Sequence, residues 1–159
     1  MNATSLSVVG FATTQYGKQV KRGECWDLAE EALKYAGAKT SNDIMGAKNV
    51  TANADYRWGT PIQVKDVEPG DILQFRSYIA KVTSNNGAWQ TQNRPHHTAI
   101  VAGVYPVIGA KVVAAYEQNV NNSKSVQLNT IYLTAGTGLN GGESVSISGR
   151  IWAYRPIKK

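Results

Sequence analysis

The chain has one cysteine, two histidines, two methionines and two phenylalanines among its 159 residues. One cysteine excludes a disulfide framework and any multi-cysteine zinc or iron–sulfur centre. The histidines stand side by side as His96 and His97, too few for a histidine-rich site, so no metal is expected. Long apolar runs are missing too. The longest, Ala99 to Ala110, is broken by Gly103, Tyr105, Pro106 and Gly109, short of the ~18 residues a membrane span needs. Met1 to Gly10 carries no basic start and too short an apolar stretch for a signal peptide. No repeat, low-complexity tract or Pro-rich linker divides residues 1–159, which read as one domain. Acid is in the minority, 11 Asp and Glu against 17 Lys and Arg, for a net charge of +6. That positive field attracts polyanions such as an anionic wall polymer. The cations are scattered, with no nucleic-acid motif, so nucleic acid is not an expected partner.

What is present is helical first and strand-like after. Leu6, Val9, Phe11 and Ala12 fit a short amphipathic helix over Ser5 to Tyr16, closed by Gly17. Cys25, Leu28, Ala29, Ala32 and Ala36 recur at i, i+3, i+4, i+7 and i+11, which predicts a helix over Cys25–Ala36. Acid in its first half, Lys34 in its last turn and Gly37 beyond agree with the helix dipole and with a glycine stop. The turn Pro69-Gly70-Asp71 feeds a strand Ile72–Phe75. Thr98–Val104, apolar on both faces, reads as a central strand. Val112–Asn119, Val126–Leu133, Val145–Ile147 and Ile151–Tyr154 complete an antiparallel sheet, giving an α+β fold.

Cys25 opens a helix, where unpaired N–H groups and the dipole favour a thiolate. Glu24 and Asp27 oppose that, so a cationic partner is required; without one, Cys25 is a small core residue. His97 immediately precedes the central strand. A hairpin turn centred on residue 107 sets His97 opposite Glu117, and one centred on 108 sets it opposite Asn119. Either choice puts a carboxylate or an amide beside the imidazole, the orienting group a nucleophile–base pair needs. His96 points the other way, toward a loop or solvent. Tyr56, Trp58 and Trp89 fall in expected loops and are candidate liners of a peptide or glycan groove.

Gly23-Glu24-Cys25-Trp26 resembles the nucleophile segment of the CHAP and NlpC/P60 peptidases, members of a papain-like superfamily. Pro69-Gly70-Asp71-Ile72-Leu73-Gln74-Phe75 is similar to their strand after the helix, and His97-Thr98-Ala99-Ile100-Val101 to their histidine strand. Tyr116-Glu117-Gln118-Asn119 and Ile151-Trp152-Ala153-Tyr154-Arg155-Pro156 resemble later segments, so the match spans residues 8 to 156. The resemblance implies a papain-like fold with N-terminal helices packed on an antiparallel sheet. It also implies a cysteine peptidase or amidase with Cys25 as nucleophile, His97 as general base, and Glu117 and Asn119 as third and fourth site residues. Gln19, six residues before Cys25, stands where papain-like proteases keep an oxyanion glutamine. No cofactor is implied, and Lys18, Lys21 and Arg22 replace the acidic calcium run of some relatives. The implied substrate is a peptidoglycan amide bond, cleaved by a secreted or wall-facing monomer. Alternatives are an acyltransferase or protease acting on another substrate, and a silent wall- or glycan-binding module.

Overall fold

The computed structural model describes residues 1–159, ordered as helices α1 (Ala3–Thr14), α2 (Cys25–Tyr35) and α3 (Ser41–Met45), followed by seven strands. The strands are β1 (Thr60–Ile62), β2 (Ile72–Thr83), β3 (Trp89–Val104), β4 (Val112–Glu117), β5 (Gln127–Tyr132), β6 (Gly136–Leu139) and β7 (Glu143–Arg155). They form one antiparallel sheet in the order β1-β7-β2-β3-β4-β5, with β6 paired to β7. The α+β class and the central place of the histidine strand agree with the sequence reading.

The helix over Cys25 forms as its periodicity predicts, and Gly37 follows it at φ +65. Asp27 accepts the Glu24 N–H at 3.2 Å, which caps the first turn. The first helix departs from expectation. It ends at Thr14, and Ser5, Val8 and Ala12 face inward while Leu6 is exposed. Its buried face is turned from the Leu6–Val9 stripe because small residues permit close approach. At Gly70 (φ +91), an added Cβ would meet the Ser5 carbonyl oxygen at 2.2 Å.

Two apolar clusters lie on the two sides of the sheet. Val8, Ala12, Leu28, Ala32 and Leu33 of the helices pack with Ile72, Ile100, Tyr116 and Tyr154. Leu73, Phe75, Tyr78, Ala99, Val101, Ala115 and Ile131 form the other cluster. Phe75 and Tyr78 are three apart yet share a side, because Ser77 (φ +53) forms a bulge that reverses the alternation. Gly149 (φ +84) opposes the bulge, where a Cβ would meet the Ser77 oxygen at 2.1 Å.

The strands are longer than the short apolar runs suggested. β2 and β3 continue as a polar hairpin through Lys81 and Gln90, and β7 joins Val145–Ile147 to Ile151–Tyr154 without a break. The terminal strand β5 is not left open. Tyr78 of β2 donates to the Tyr132 carbonyl at 2.6 Å, and Gln92 of β3 donates to the Thr130 carbonyl at 2.6 Å. The sheet curls until its own side chains cover its outer edge.

Candidate active site

Cys25 is the first residue of α2, half-buried, with its backbone N–H among those that no helical carbonyl can reach. The segment that delivers it is fixed by a side chain the sequence reading passed over. Gln118, fully buried after β4, accepts the Val20 N–H at 2.7 Å and donates to the carbonyls of Val20 at 3.1 Å and Glu24 at 2.8 Å. One amide thus ties the chain before the thiol to the end of β4.

His97 on β3 is 4% exposed and lies against Cys25, Phe75 and Glu117. Its Nε2 is 3.0 Å from Glu117 Oε1, an ion-pair approach that is poorly aligned as a hydrogen bond. Neither expected register describes the whole β3–β4 hairpin. Val104 pairs with Val113 beside the turn, a bulge at Ala102 shifts the pairing by one, and Ala99 faces Glu117. Glu117 therefore meets His97 diagonally.

Glu117 is fully buried and held from several sides. Arg94 donates to it twice, Nε to Oε1 at 2.7 Å and Nη2 to Oε2 at 2.9 Å, and Asn129 Nδ2 donates to Oε2 at 2.8 Å. Burial pushes its carboxyl up, but His97 and Arg94 outweigh this and hold it at about 2. Burial likewise opposes charge on His97, yet the thiol and Glu117 raise its pKa to about 9. The Cys25 thiol is pushed up by burial and pulled below its ordinary value by His97 and the Thr98 backbone. The three groups favour thiolate, imidazolium and carboxylate together.

The acidic neighbours that should oppose a thiolate are already paired. Arg22 Nη2 lies 3.1 Å from Asp27, and Lys124 Nζ lies 2.8 Å from Glu24. Asn119 lines the cavity together with Cys25 and His97, but its amide is bonded elsewhere than to the imidazole. It lies beyond β4 at φ +61 and donates to Glu24 Oε2 at 2.8 Å, so it orders the entrance to the helix. Gln19 is turned outward and donates to the Lys21 carbonyl at 3.2 Å; it does not line the cavity at the thiol.

That cavity, about 470 Å³, is lined by Arg22, Trp26, Tyr56, His96 and Val50 beside Cys25 and His97. Tyr56 is where the groove reading expected it. Trp58 is fully buried, its Nε1 donating to Gln74, and Trp89 is 63% exposed on β3 over Lys81, away from the cavity. The far wall is the loop of residues 50–56. His96 Nε2 meets the Ala54 carbonyl at 2.6 Å, and Arg76 donates to Asp55 at 2.6 Å and to the Asn53 carbonyl at 2.7 Å. His96 serves the loop, as its place in the strand suggested. Uncharged amides, including Asn93, Asn121 and Asn122, line a continuation of the cleft past His97.

Residues 2–159 match the family model described as the AIM3/BBC1 cysteine proteinase-fold domain. The chain is 33% identical over 162 residues to "Altered inheritance of mitochondria protein 3" of Debaryomyces hansenii. That alignment covers 94% of this chain and 15% of the relative, so the chain spans a small part of the relative's length. Among solved structures, "The crystal structure of Ly7917" is similar over 91% of this chain and 62% of that chain, at 16% identity and a TM-score of 0.44.

Proposed function

We propose that this chain, which belongs to the AIM3/BBC1 family of cysteine proteinase-fold domains, is a thiol hydrolase of amide bonds in polypeptides. The observation that carries the reading is the buried row of Cys25, His97 and Glu117 at the floor of a cleft. Cys25 attacks the carbonyl carbon as thiolate, and the carbonyl oxygen gathers negative charge at the unpaired N–H groups of the first turn of α2. His97, already carrying the proton, gives it to the departing amine and then takes one from the water that frees the acyl group. Glu117 orients the ring and stabilises its charged form. Gln118 holds the thiol in place and acts through the backbone.

The finer resemblance to CHAP and NlpC/P60 segments would make the substrate a peptidoglycan amide. The family description names a cysteine proteinase fold and no wall polymer, and the D. hansenii relative is named for mitochondrial inheritance. The reading therefore keeps the chemistry and takes a peptide or protein as substrate.

The test is digestion of a denatured-protein mixture with mass spectrometry of new termini. Wild type and His96→Ala should cleave, whereas Cys25→Ala and His97→Ala should lose at least 100-fold of the rate, the scale on which a missing nucleophile or general base is felt. Equal cleavage by Cys25→Ala would overturn the reading. So would a folded wild type with no cleavage and a Cys25 that alkylates no faster at pH 6 than a free thiol, which would leave a binding module.

A further inference from the structure

The proposed chemistry uses Cys25, His97 and Glu117 and leaves a fourth buried charge without a task. Arg94 is 6% exposed and makes two charge-assisted bonds to Glu117. Nothing in the sequence marks it, because it lies three positions before His97 and simple alternation sets the two on opposite sides of β3. It reaches the same side because the Ser77 bulge reverses β2 locally, and Arg94 pairs across the ladder with Tyr78, which has changed sides. A guanidinium is strongly charged and was placed there against the cost of burial, which calls for a reason.

We propose that Arg94 is a positioning residue that sets the ionisation of the Cys25 thiol by balancing the charge of Glu117. The inference rests on the thiol chemistry proposed above. With Arg94 present, thiolate, imidazolium, carboxylate and guanidinium alternate in sign and sum to zero. Without it, the same row holds one uncompensated negative charge in a buried place. Neutrality is then regained by returning a proton to the sulfur, the most solvent-exposed member. A carboxylate as third residue would therefore weaken the nucleophile it serves, and Arg94 offsets that effect.

The surroundings leave this role to Arg94. From β2, Tyr78 donates its hydroxyl to Tyr132, and burial raises its pKa, so it stays neutral. From β5, Asn129 contributes an uncharged amide. On the thiol side, Asp27 is bound by Arg22 and Glu24 by Lys124, while Tyr56 has a raised pKa and is neutral. Arg94 is the one permanent cation in contact with Glu117. Its fork takes one lone pair of each oxygen, and Asn129 takes another on Oε2, leaving Oε1 turned toward His97.

Iodoacetamide alkylation of Cys25 from pH 5 to 9, checked for folding by circular dichroism, tests this on four full chains. Relative to wild type, Arg94→Met should alkylate about tenfold slower at pH 6, equivalent to a pKa rise of about one unit. Arg94→Lys keeps the charge and should stay within about threefold. The double variant Arg94→Met/Glu117→Gln removes both charges, restores a neutral thiolate–imidazolium pair, and should recover most of the rate lost in Arg94→Met. A merely structural role predicts further loss in the double variant. A wild-type profile in folded Arg94→Met, or a double variant as slow as the single, overturns the inference. If Arg94→Met does not fold, the double variant and Arg94→Lys decide: an alkylation rate at pH 6 more than about threefold below wild type in both overturns it. Because alkylation needs no substrate, slow reaction of the wild type itself would instead strike the hydrolase reading.

Discussion

At the scale of single residues, Glu117 links stability to chemistry. Its carboxyl titrates near 4.5 in an unfolded chain and at about 2 in the folded one, so the unfolded state binds the proton first as acid is added. The stability it contributes is present above about pH 4.5 and is lost as pH falls toward 2. The shift corresponds to something on the order of 3 kcal/mol. Glu117→Gln should therefore lower the melting temperature at pH 7 by leaving Arg94 unpaired, yet show a shallower loss between pH 5 and 3 than wild type. Calorimetry across that range checks it, and parallel slopes would contradict the assignment. The alkaline side belongs to His97. Hydrolysis should decline above about pH 9, where the imidazolium loses the proton it donates. The same pair contributes little pH slope to stability near neutrality, because the proton that folding places on His97 is the one it takes from Cys25. Cys25 is legible in the sequence because it opens a strongly periodic helix, and His97 and Glu117 because each adjoins an apolar run that reads as a strand. Arg94 and Gln118 are not. Arg94 depends on a bulge and Gln118 on a long-range contact with residues 20–24, and neither leaves a local signal.

At the scale of elements, helix α2 and the antiparallel pairing of β3 with β4 follow from the pattern, whereas the strand order, the face of α1 and the length of the β2–β3 hairpin do not. Residues 89–97 contain a proline and few apolar side chains, so nothing local announces a strand. They are extended because β2 supplies the ladder and Gln92 and Arg94 find partners on β4 and β5. In α1 the deciding contact is again tertiary, the approach of Ser5 to the Gly70 turn. Gly70→Ala should cost about 2–4 kcal/mol, from a strained left-handed backbone and the overlap with the Ser5 carbonyl. Urea unfolding should show a lower midpoint with an unchanged slope. A loss below about 0.5 kcal/mol would mean that the helix does not rest on that turn.

For the whole molecule, a curled sheet has to dispose of its two margins. On one margin β7 is flanked by β1, three residues long and containing Pro61, and by β6, four residues long, both poor templates for another strand. The other, β5, is covered by Tyr78 and Gln92. The double variant Tyr78→Phe/Gln92→Ala should uncover the carbonyls of Thr130 and Tyr132 and show concentration-dependent association by light scattering, while Trp89→Ala should not. A monodisperse double variant would show that other features guard the margin. Where Tyr78 and Gln92 occupy the rail of β5, a neighbour's backbone finds no free carbonyl at Thr130 or Tyr132 onto which it could knit.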